Sequence, residues 1–471
     1  MSKGYVKNTI LDGALGVSPA SATGIFGAVG VCAAPTGGII TLTTAADAKE
    51  KLVDGPLCDV LVQALSMAST TVYAIGLEGT TEGAIGQVAH TGSGKATVAA
   101  SGSPRNDYEV IITIEEGGLL NAAIAHITLD GVDQKHFTIP TGGSYEIPGT
   151  GITLTFTAAE ESEFVAGDTY TFMTEAPKAS NAEILAAVDT LLNSAYDYEW
   201  IAIAGVSDAT LWAALDTKAT EAMNNYRYIH FKAQARYLDD EETVDDWVTA
   251  LTGSERGTTV GGRVQVCAGW VECSDPYGAI DVRGGLGWSC GMSAQKDVME
   301  PVDHVASSAL SGILRLMPDG LNDGHINALD NAGYLTLCQY IGLTGVYITH
   351  GRMFAEATSD FGLEERRRVM DLACKNVRIA QLSYINSTVT IGADGSAEGL
   401  DMFKAITEQV LDNMVAAGQI SSYEVDIDED QDLLSTETLR TTIRIVPLGK
   451  MSFIENTISY SNPNLSSGGN E

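Results

Sequence analysis

Tyr108-Glu109-Val110-Ile111-Ile112-Thr113-Ile114, Ala125-His126-Ile127-Thr128-Leu129, Ile152-Thr153-Leu154-Thr155-Phe156 and Thr169-Tyr170-Thr171-Phe172 are runs of β-branched and aromatic residues within residues 88–178. Gly117-Gly118, Asp130-Gly131 and Gly142-Gly143 punctuate them. Strand composition bounded by such turn signals, with no helical periodicity between, predicts an all-β segment. On both sides of it, in residues 1–87 and 179–471, short apolar strands alternate with amphipathic helices. The expected class is therefore α/β (mixed α+β). A body with a mostly parallel sheet flanked by helices is interrupted by an inserted all-β domain and carries extended strand-forming arms at both ends. A small β domain grafted onto a larger body is an added surface, which directs attention to assembly before catalysis.

Working outward, Thr23 to Val31 reads as a buried strand, followed by helices over Thr44–Val53 and, after Pro56, Cys58–Ala68, then a strand over Thr71–Ile75. Beyond the β segment, Ser180-Asn181-Ala182-Glu183 places a hydroxyl and a carboxylate three apart, the spacing of a reciprocal cap. The helix behind it aligns Ile184, Leu185, Val188, Leu191 and Leu192 on one face. Strands at 200–204, 228–231 and 263–267 alternate with helices at 211–223 and around Trp247. Residues 275–300, rich in glycine, read as irregular. Residues 364–382 read as a helix with Glu364 and Glu365 in its first turn, where the dipole favours acids, and with Glu364 spaced to pair with Arg368. The expected division is an N-terminal arm (1–20), a first part of the body (21–87), the inserted β domain (88–178), the remainder of the body (179–437) and a C-terminal arm (438–471).

At 471 residues the chain exceeds one ordinary domain. Its net charge of -34 repels phosphate backbones and anionic lipid, so neither nucleic acid nor a membrane is expected as a partner. Seven cysteines without a metal or disulfide framework read as reduced, buried thiols. No signal-type stretch opens the sequence and no run approaches the ~18 apolar residues of a membrane span, so synthesis in a cytoplasm is expected.

Three motifs hint at chemistry. Gly287-Trp288-Ser289-Cys290-Gly291 matches the nucleophile elbow G-x-S-x-G, which needs a strand before it, a helix after it and a later histidine. It makes a serine hydrolase built on Ser289 one alternative reading; another self-assembling surface- or capsid-associated protein is the other. His90 to Thr97 approximates a phosphate loop but has Ala89 where the first glycine belongs and Ala96 where the magnesium hydroxyl belongs. Asp426, Asp428, Asp430, Asp432 and Glu437 have the spacing of a calcium loop, yet Gln431 stands at the obligatory glycine. No catalytic residue, metal or cofactor is expected.

Both ends are strand-prone and locally cationic in an acidic chain. Lys3 and Lys7 flank Val6 and Ile10 at one end. Arg440, Arg444 and Lys450 accompany Ile443, Ile445 and Val446 at the other, ahead of a run over 453–460. Extended arms of this kind add strands to a neighbour's sheet, and their charge attracts them to an acidic body.

The order of these stretches resembles the contractile-tail sheath proteins of bacteriophages and related injection machines. The likeness is carried by Arg105 to Val110, Tyr145 through Leu154, Ala166 to Tyr170, Ile326 to Tyr334, Gly345 to Met353, Ser359-Asp360-Phe361 with Arg368 to Asp371, and Thr438-Leu439 with Ile443 to Pro447. It implies a non-enzymatic subunit made in a bacterial cytoplasm and built into a virion tail or contractile particle. Such subunits form hexameric rings stacked around an inner tube, linked by strand exchange, and contract to drive the tube through an envelope. The implied partners are further copies of the chain, the tube protein, and baseplate and tail-end proteins. On that basis Asp401, Glu408 and Asp412 mark a candidate tube-facing helix, and the β segment lies on the outside.

Overall fold

The structure is a computed structural model that describes residues 23–159, 163–274, 278–393, 395–428 and 431–460. The chain opens with β1 (Phe26–Val31), buried along its whole length, and continues through β2 (Ile40–Leu42), α1 (Ala45–Leu52), α2 (Pro56–Met67) and β3 (Val72–Leu77). Local chemistry sets these boundaries. Thr44 Oγ1 accepts the Asp47 amide at 3.1 Å while the Asp47 carboxylate accepts the Thr44 amide at 3.2 Å, closing a capping box on α1. Pro56 starts α2, where its missing N–H costs nothing.

From Ala84 to Glu175 the described residues contribute strands and no helix: β4 (Ala84–Ile85), β5 (Ala89–Thr91), β6 (Thr97–Gly102), β7 (Glu109–Glu116), β8 (Ile124–Leu129), β9 (Val132–Thr138), β10 (Ser144–Ile147), β11 (Ile152–Thr157) and β12 (Thr169–Glu175). They form one sheet in the order β4-β12-β7-β8-β9, with β5 also on β12, and a second of β10-β11-β6. Alternate residues of β7, β8, β11 and β12 turn into a shared core that includes Ile112, Ile127, Leu154, Phe156, Phe164 and Tyr170. Each such side chain contributes ~1.5–3 kcal/mol by leaving water, so this unit has a core of its own.

The body resumes with α3 (Asn181–Leu192), capped reciprocally by Ser180 and Glu183 as the spacing predicts. It continues with β13 (Trp200–Val206), α4 (Ala209–Asn224), β14 (His230–Gln234), α5 (Val244–Thr252) and β15 (Val264–Cys267). The main sheet runs β15-β14-β13-β1-β3-β2, parallel except for the edge strand β2. One face is covered by α3, α4 and α5 through Val188, Leu215 and Trp247. The other is covered by α2 through Leu57 and Leu61, joined by Leu286 and Cys290. The mixed α/β class holds. In a doubly wound sheet the ligand crevice lies beyond the carboxyl ends of the strands where the order reverses, here β1 and β13. Beyond β1 the chain packs closely: a Cβ on Gly55 would meet the carbonyls of Val31 and Arg105 at 3.3 and 3.2 Å.

Residues 278–300 are not irregular. After β16 (Trp270–Ser274) come β17 (Ile280–Gly284) and the buried helix α6 (Leu286–Gln295). Then follow β18 (Ile313–Met317), α7 (Asp323–Asn331), β19 (Leu337–Cys338) and β20 (Tyr347–Ile348). The C-terminal part holds α8 (Glu364–Gln381), β21 (Thr390–Ile391), β22 (Ala397–Glu398), α9 (Leu400–Ala416), β23 (Ser422–Asp426), α10 (Leu433–Thr436) and β24 (Thr442–Val446). Val369, Leu372, Leu411, Met414 and Val425 form its core. Six of the seven cysteines are buried, and none forms a disulfide.

Candidate functional site

Ser289 lies in the middle of α6 with its side chain shut away from solvent. Its hydroxyl donates to Gln265 Oε1 at 3.0 Å and accepts from Lys232 Nζ at 3.1 Å. Lys232 also donates to Ser293 Oγ at 2.6 Å and pairs with Glu364 Oε1 at 2.8 Å. Gln265 Nε2 completes the network on Glu364 Oε2 at 2.9 Å. An elbow serine sits on a strand-to-helix turn with Oγ open to substrate, whereas Ser289 lies within α6 with its hydroxyl buried, a placement that does not match the elbow. The glycines of the motif have a packing role instead. A Cβ on Gly291 would lie 3.0 Å from the Ala64 carbonyl and 3.0 Å from Met67 Cβ, and one on Gly287 would lie 2.9 Å from the Val60 carbonyl. Four residues apart, they bring α6 close against α2, since helix separation follows the side chains at the contact. Glycines read as irregularity are therefore a helix-packing seam.

Lys232 and Glu364 are both wholly buried. Burial alone would raise the Glu364 carboxyl, but Lys232, aided by His230 and Arg368, overrides it and holds it at about 2. Burial pushes the His230 imidazole well below its usual range; Glu364 opposes this and Lys232 reinforces it. Lys232 of β14 thus pairs with Glu364 of α8 beside an imidazole whose charged form burial disfavours.

Glu364 belongs to α8, and this helix is tied to the sheet along its first three turns. Arg368 Nε meets Glu199 Oε2 at 2.8 Å, Asp371 takes Arg263 Nη1 at 3.2 Å and Lys375 Nζ reaches Asp197 Oδ1 at 2.8 Å. The expected Glu364–Arg368 pair along the helix surface is not made. Both side chains face the sheet and each takes a partner there, because two buried charges are best compensated by opposite charges in direct hydrogen-bond range. α8 therefore joins the C-terminal part to the main sheet through charge pairs that are buried at Lys232, Arg263 and Arg368 and exposed at Asp197.

The C-terminal arm residues divide. β24 pairs antiparallel with β23, with Tyr423 opposite Ile445 and Val425 opposite Ile443. Ile443 and Ile445 turn onto the core of α8 and α9, while Arg444 meets Glu424 at 3.0 Å on the surface. Arg440 donates its amide to Gln431 Oε1 at 2.7 Å, and Val446 is half exposed. These five residues thus lie in a hairpin of their own chain. Beyond it, residues 447–460 follow no regular secondary structure and pair with no strand among the described residues. Met451, Phe453, Ile454, Ile458 and Tyr460 are all strongly exposed, Phe453 at 82% and Ile458 at 92%. Lys450 anchors the segment between Asp303 Oδ2 at 2.9 Å and Glu365 Oε1 at 3.1 Å, all three side chains being largely buried. Strand-type composition without a ladder leaves backbone groups and apolar side chains unsatisfied in the single chain. Lys3, Val6, Lys7 and Ile10 lie outside the described residues.

On α9, Asp401 and Asp412 are exposed and Glu408 partly so. Asp412 accepts the Tyr423 hydroxyl at 2.7 Å, and Lys404 lies 4.0 Å from Glu408. Leu411 and Met414 on the other side are buried. The helix is amphipathic with an acidic outer face.

The two remaining motifs resolve into structural roles. The amides of Ser93 and Gly94, which would cradle a phosphate, both donate to the Asp168 carboxylate at 2.9 Å. Of the calcium-spaced acids, Asp426 ends β23, Asp432 caps α10 by accepting the Ser435 amide at 3.0 Å, and Asp430 lies outside the described residues. Among the described residues no cluster of three ligating side chains is arranged to hold a metal, and no helix is long and apolar enough to cross a membrane.

The chain belongs to the DUF2586 family: the N-terminal domain of that family matches residues 4–352 and its C-terminal domain residues 360–465. The break between the two falls immediately before α8. No curated protein matches the sequence. Among solved structures, the chain is similar to one in an extracellular contractile injection system, the PVC sheath complex in its contracted state. The identity is 9%, with 98% of each chain covered and a TM-score of 0.57. It is also similar to a chain of the anti-feeding prophage baseplate, at 11% identity over 98% of this chain and 99% of that one, with a TM-score of 0.53. A sheath tail protein from Desulfitobacterium hafniense aligns at 14% identity over 94% of this chain and all of its own, with a TM-score of 0.49. The resemblance to contractile sheath proteins is borne out at the level of the fold.

Proposed function

We propose that this member of the DUF2586 family is the structural subunit of a contractile tail sheath. Copies polymerise as stacked hexameric rings around an inner tube and contract to drive that tube through a target envelope. The observation that carries the reading is the segment 451–460, apolar, exposed and without a strand partner, fastened by Lys450 to a body whose α8 is welded to the main sheet. An unsatisfied strand on a rigid body is suited to complete its ladder on a neighbouring copy. Strand exchange concentrates many backbone hydrogen bonds in one contact, so such arms hold while bodies rotate as units. The fold likeness to a sheath complex supports the same reading.

In this arrangement residues 1–20 form the second arm, and 88–178 are a separate module on the outer surface. The acidic face of α9 with Asp401, Glu408 and Asp412 is turned to the tube. The exposed edge of β24, with Arg444 and Val446, extends the C-terminal contact. The subunit catalyses nothing and takes no cofactor. It is made in a bacterial cytoplasm and joins a particle with tube, baseplate and tail-end proteins.

The test is a truncation after Lys450, which keeps the anchor and the β23–β24 hairpin. The shortened chain is expected to unfold at the same temperature as the full chain and to remain unassembled. Intact tubes from the shortened chain would contradict the arm.

A further inference from the structure

Arg283, on β17, stands where the β4–β12 unit meets the body. Its Nε lies 3.0 Å from Asp59 Oδ2 on α2, its Nη2 3.9 Å from Asp130 Oδ2, and its Nη1 contacts Asp281. Nη2 also donates to the Asp107 carbonyl at 3.4 Å. Asp130 and Gly131 form the tip of the β8–β9 hairpin with φ of 48° and 73°, the left-handed pair of a type I′ turn. This tip is docked on the body through the backbone: the Ile280 amide donates to the Asp130 carbonyl at 2.8 Å. Asp130 Oδ1 also accepts the Glu109 amide at 2.7 Å.

Around the same guanidinium, Asn106 bridges Asp54 Oδ1 at 3.1 Å and Asp59 Oδ2 at 2.9 Å, and the Tyr108 hydroxyl donates to Asp54 Oδ2 at 2.8 Å. Lys49 lies 3.6 Å from Asp54. The titratable and charged groups facing the junction are thus Lys49 from α1, Asp54 from the link to α2, Asp59 from α2, Asp107 and Tyr108 just before β7, Glu109 at its start, Asp130 from the turn, Cys273 from β16, and Asp281 and Arg283 from β17. Carboxylates outnumber cations, and they come from both sides of the junction.

We propose that this cluster is a proton-dependent clasp between the β4–β12 unit and the body: a proton retained among Asp59, Asp130 and Asp281 keeps the hairpin tip on β17, and its loss sets carboxylates against one another and releases the tip. Burial raises the Asp130 carboxyl to about 7, Asp281 adding to the rise and Arg283 opposing it. Burial raises Asp59 and Asp281 as well, with Arg283 opposing in both. A carboxyl raised in the closed state stabilises that state fully below its ordinary value of 3.8, and this contribution is lost as pH rises through about 7. The junction is closed in mild acid and loosens in mild alkali. The clasp does not depend on the sheath reading, since it concerns the single chain.

Hydrogen–deuterium exchange of the purified full-length chain at about pH 6 and about pH 8, corrected for intrinsic exchange, tests it. A group with a closed-state pKa near 7 makes the opening constant roughly tenfold larger at the higher pH. That change is expected in peptides covering 106–112, 128–134 and 279–284, with β1 and β13 unchanged. Asp130→Asn, which keeps the turn and the acceptor for Glu109, is expected to stay closed at both values. Asp281→Asn is expected to lessen the pH dependence, and it decides the matter if Asp130→Asn loses protection in β1 and β13. Equal junction exchange of the unmodified chain at the two values would overturn the clasp, as would a substituted chain that keeps the full pH ratio.

Discussion

Replacing Lys232 by Met tests how the C-terminal part is joined to the sheet. Lys232 and Glu364 are fully buried with Nζ and Oε1 2.8 Å apart. At that distance and an effective dielectric of about 20, their attraction is roughly 6 kcal/mol, set against a desolvation cost of several kcal/mol for each ion. The pair therefore adds little net stability, whereas either charge alone is costly. Lys232→Met leaves Glu364 with Gln265 and Ser293 as donors, and Glu364→Met leaves Lys232 with the Ser289 and Ser293 hydroxyls and the Ser289 carbonyl. Each single change is expected to destabilise by ~3–5 kcal/mol, while Lys232→Met with Glu364→Met returns close to the parent. Urea unfolding followed by tryptophan fluorescence reads this directly, because Trp200 is buried 5.2 Å from Lys232 Nζ. The coupling between the two sites, the double change less the two single ones, should then be ~6–10 kcal/mol in magnitude. With Glu364 held at about 2, its contribution is present above the ordinary carboxyl range and is lost as pH falls through about 2. Glu364→Gln should remove that acid transition. Single variants within ~1 kcal/mol of the parent, or strictly additive effects, would refute the buried joint.

Gly291→Val places branched carbon against the Ala64 carbonyl and Met67, and overpacking of this kind costs ~1–3 kcal/mol; thermal unfolding should show the loss, while Gly142→Ala, with open space around its Cβ position, should cost less. Ser289→Ala should leave assembly unchanged, and the parent should resist covalent labelling by a fluorophosphonate, because the hydroxyl is buried in α6. Reversing Asp401, Glu408 and Asp412 to Lys should abolish co-assembly with the tube protein without shifting the melting temperature; unchanged co-sedimentation would remove α9 from the tube interface.

Much of the fold is legible in the sequence where one local rule dominates. The alternation in β7 and β8, the Ser180–Glu183 cap and the acids opening α8 each state their structure within a few residues. What sequence reading loses is decided at long range. Gly287 and Gly291 look like helix breakers until α2 is placed against them, when their lack of a Cβ becomes the reason the helix fits. Lys232 lies in an apolar strand read as ending at Phe231. A charge inside a buried strand was the available signal, and its explanation, Glu364, is 132 residues away. The opposite error occurs at 453–460, whose composition is that of a strand but which finds no partner in its own chain. Composition reports readiness to pair, and the single chain offers this run no ladder. Within the C-terminal arm, Ile443 and Ile445 return to their own hairpin, because β23 offers them a register and α9 a core.

Electron microscopy of the purified, untagged full-length chain at high concentration tests the central claim most directly. Hollow tubes or stacked rings of regular width with six-fold symmetry are expected, and none when residues 451–471 are removed. Uniform small particles that never polymerise, even when salt is raised to screen the net charge of -34, would contradict it.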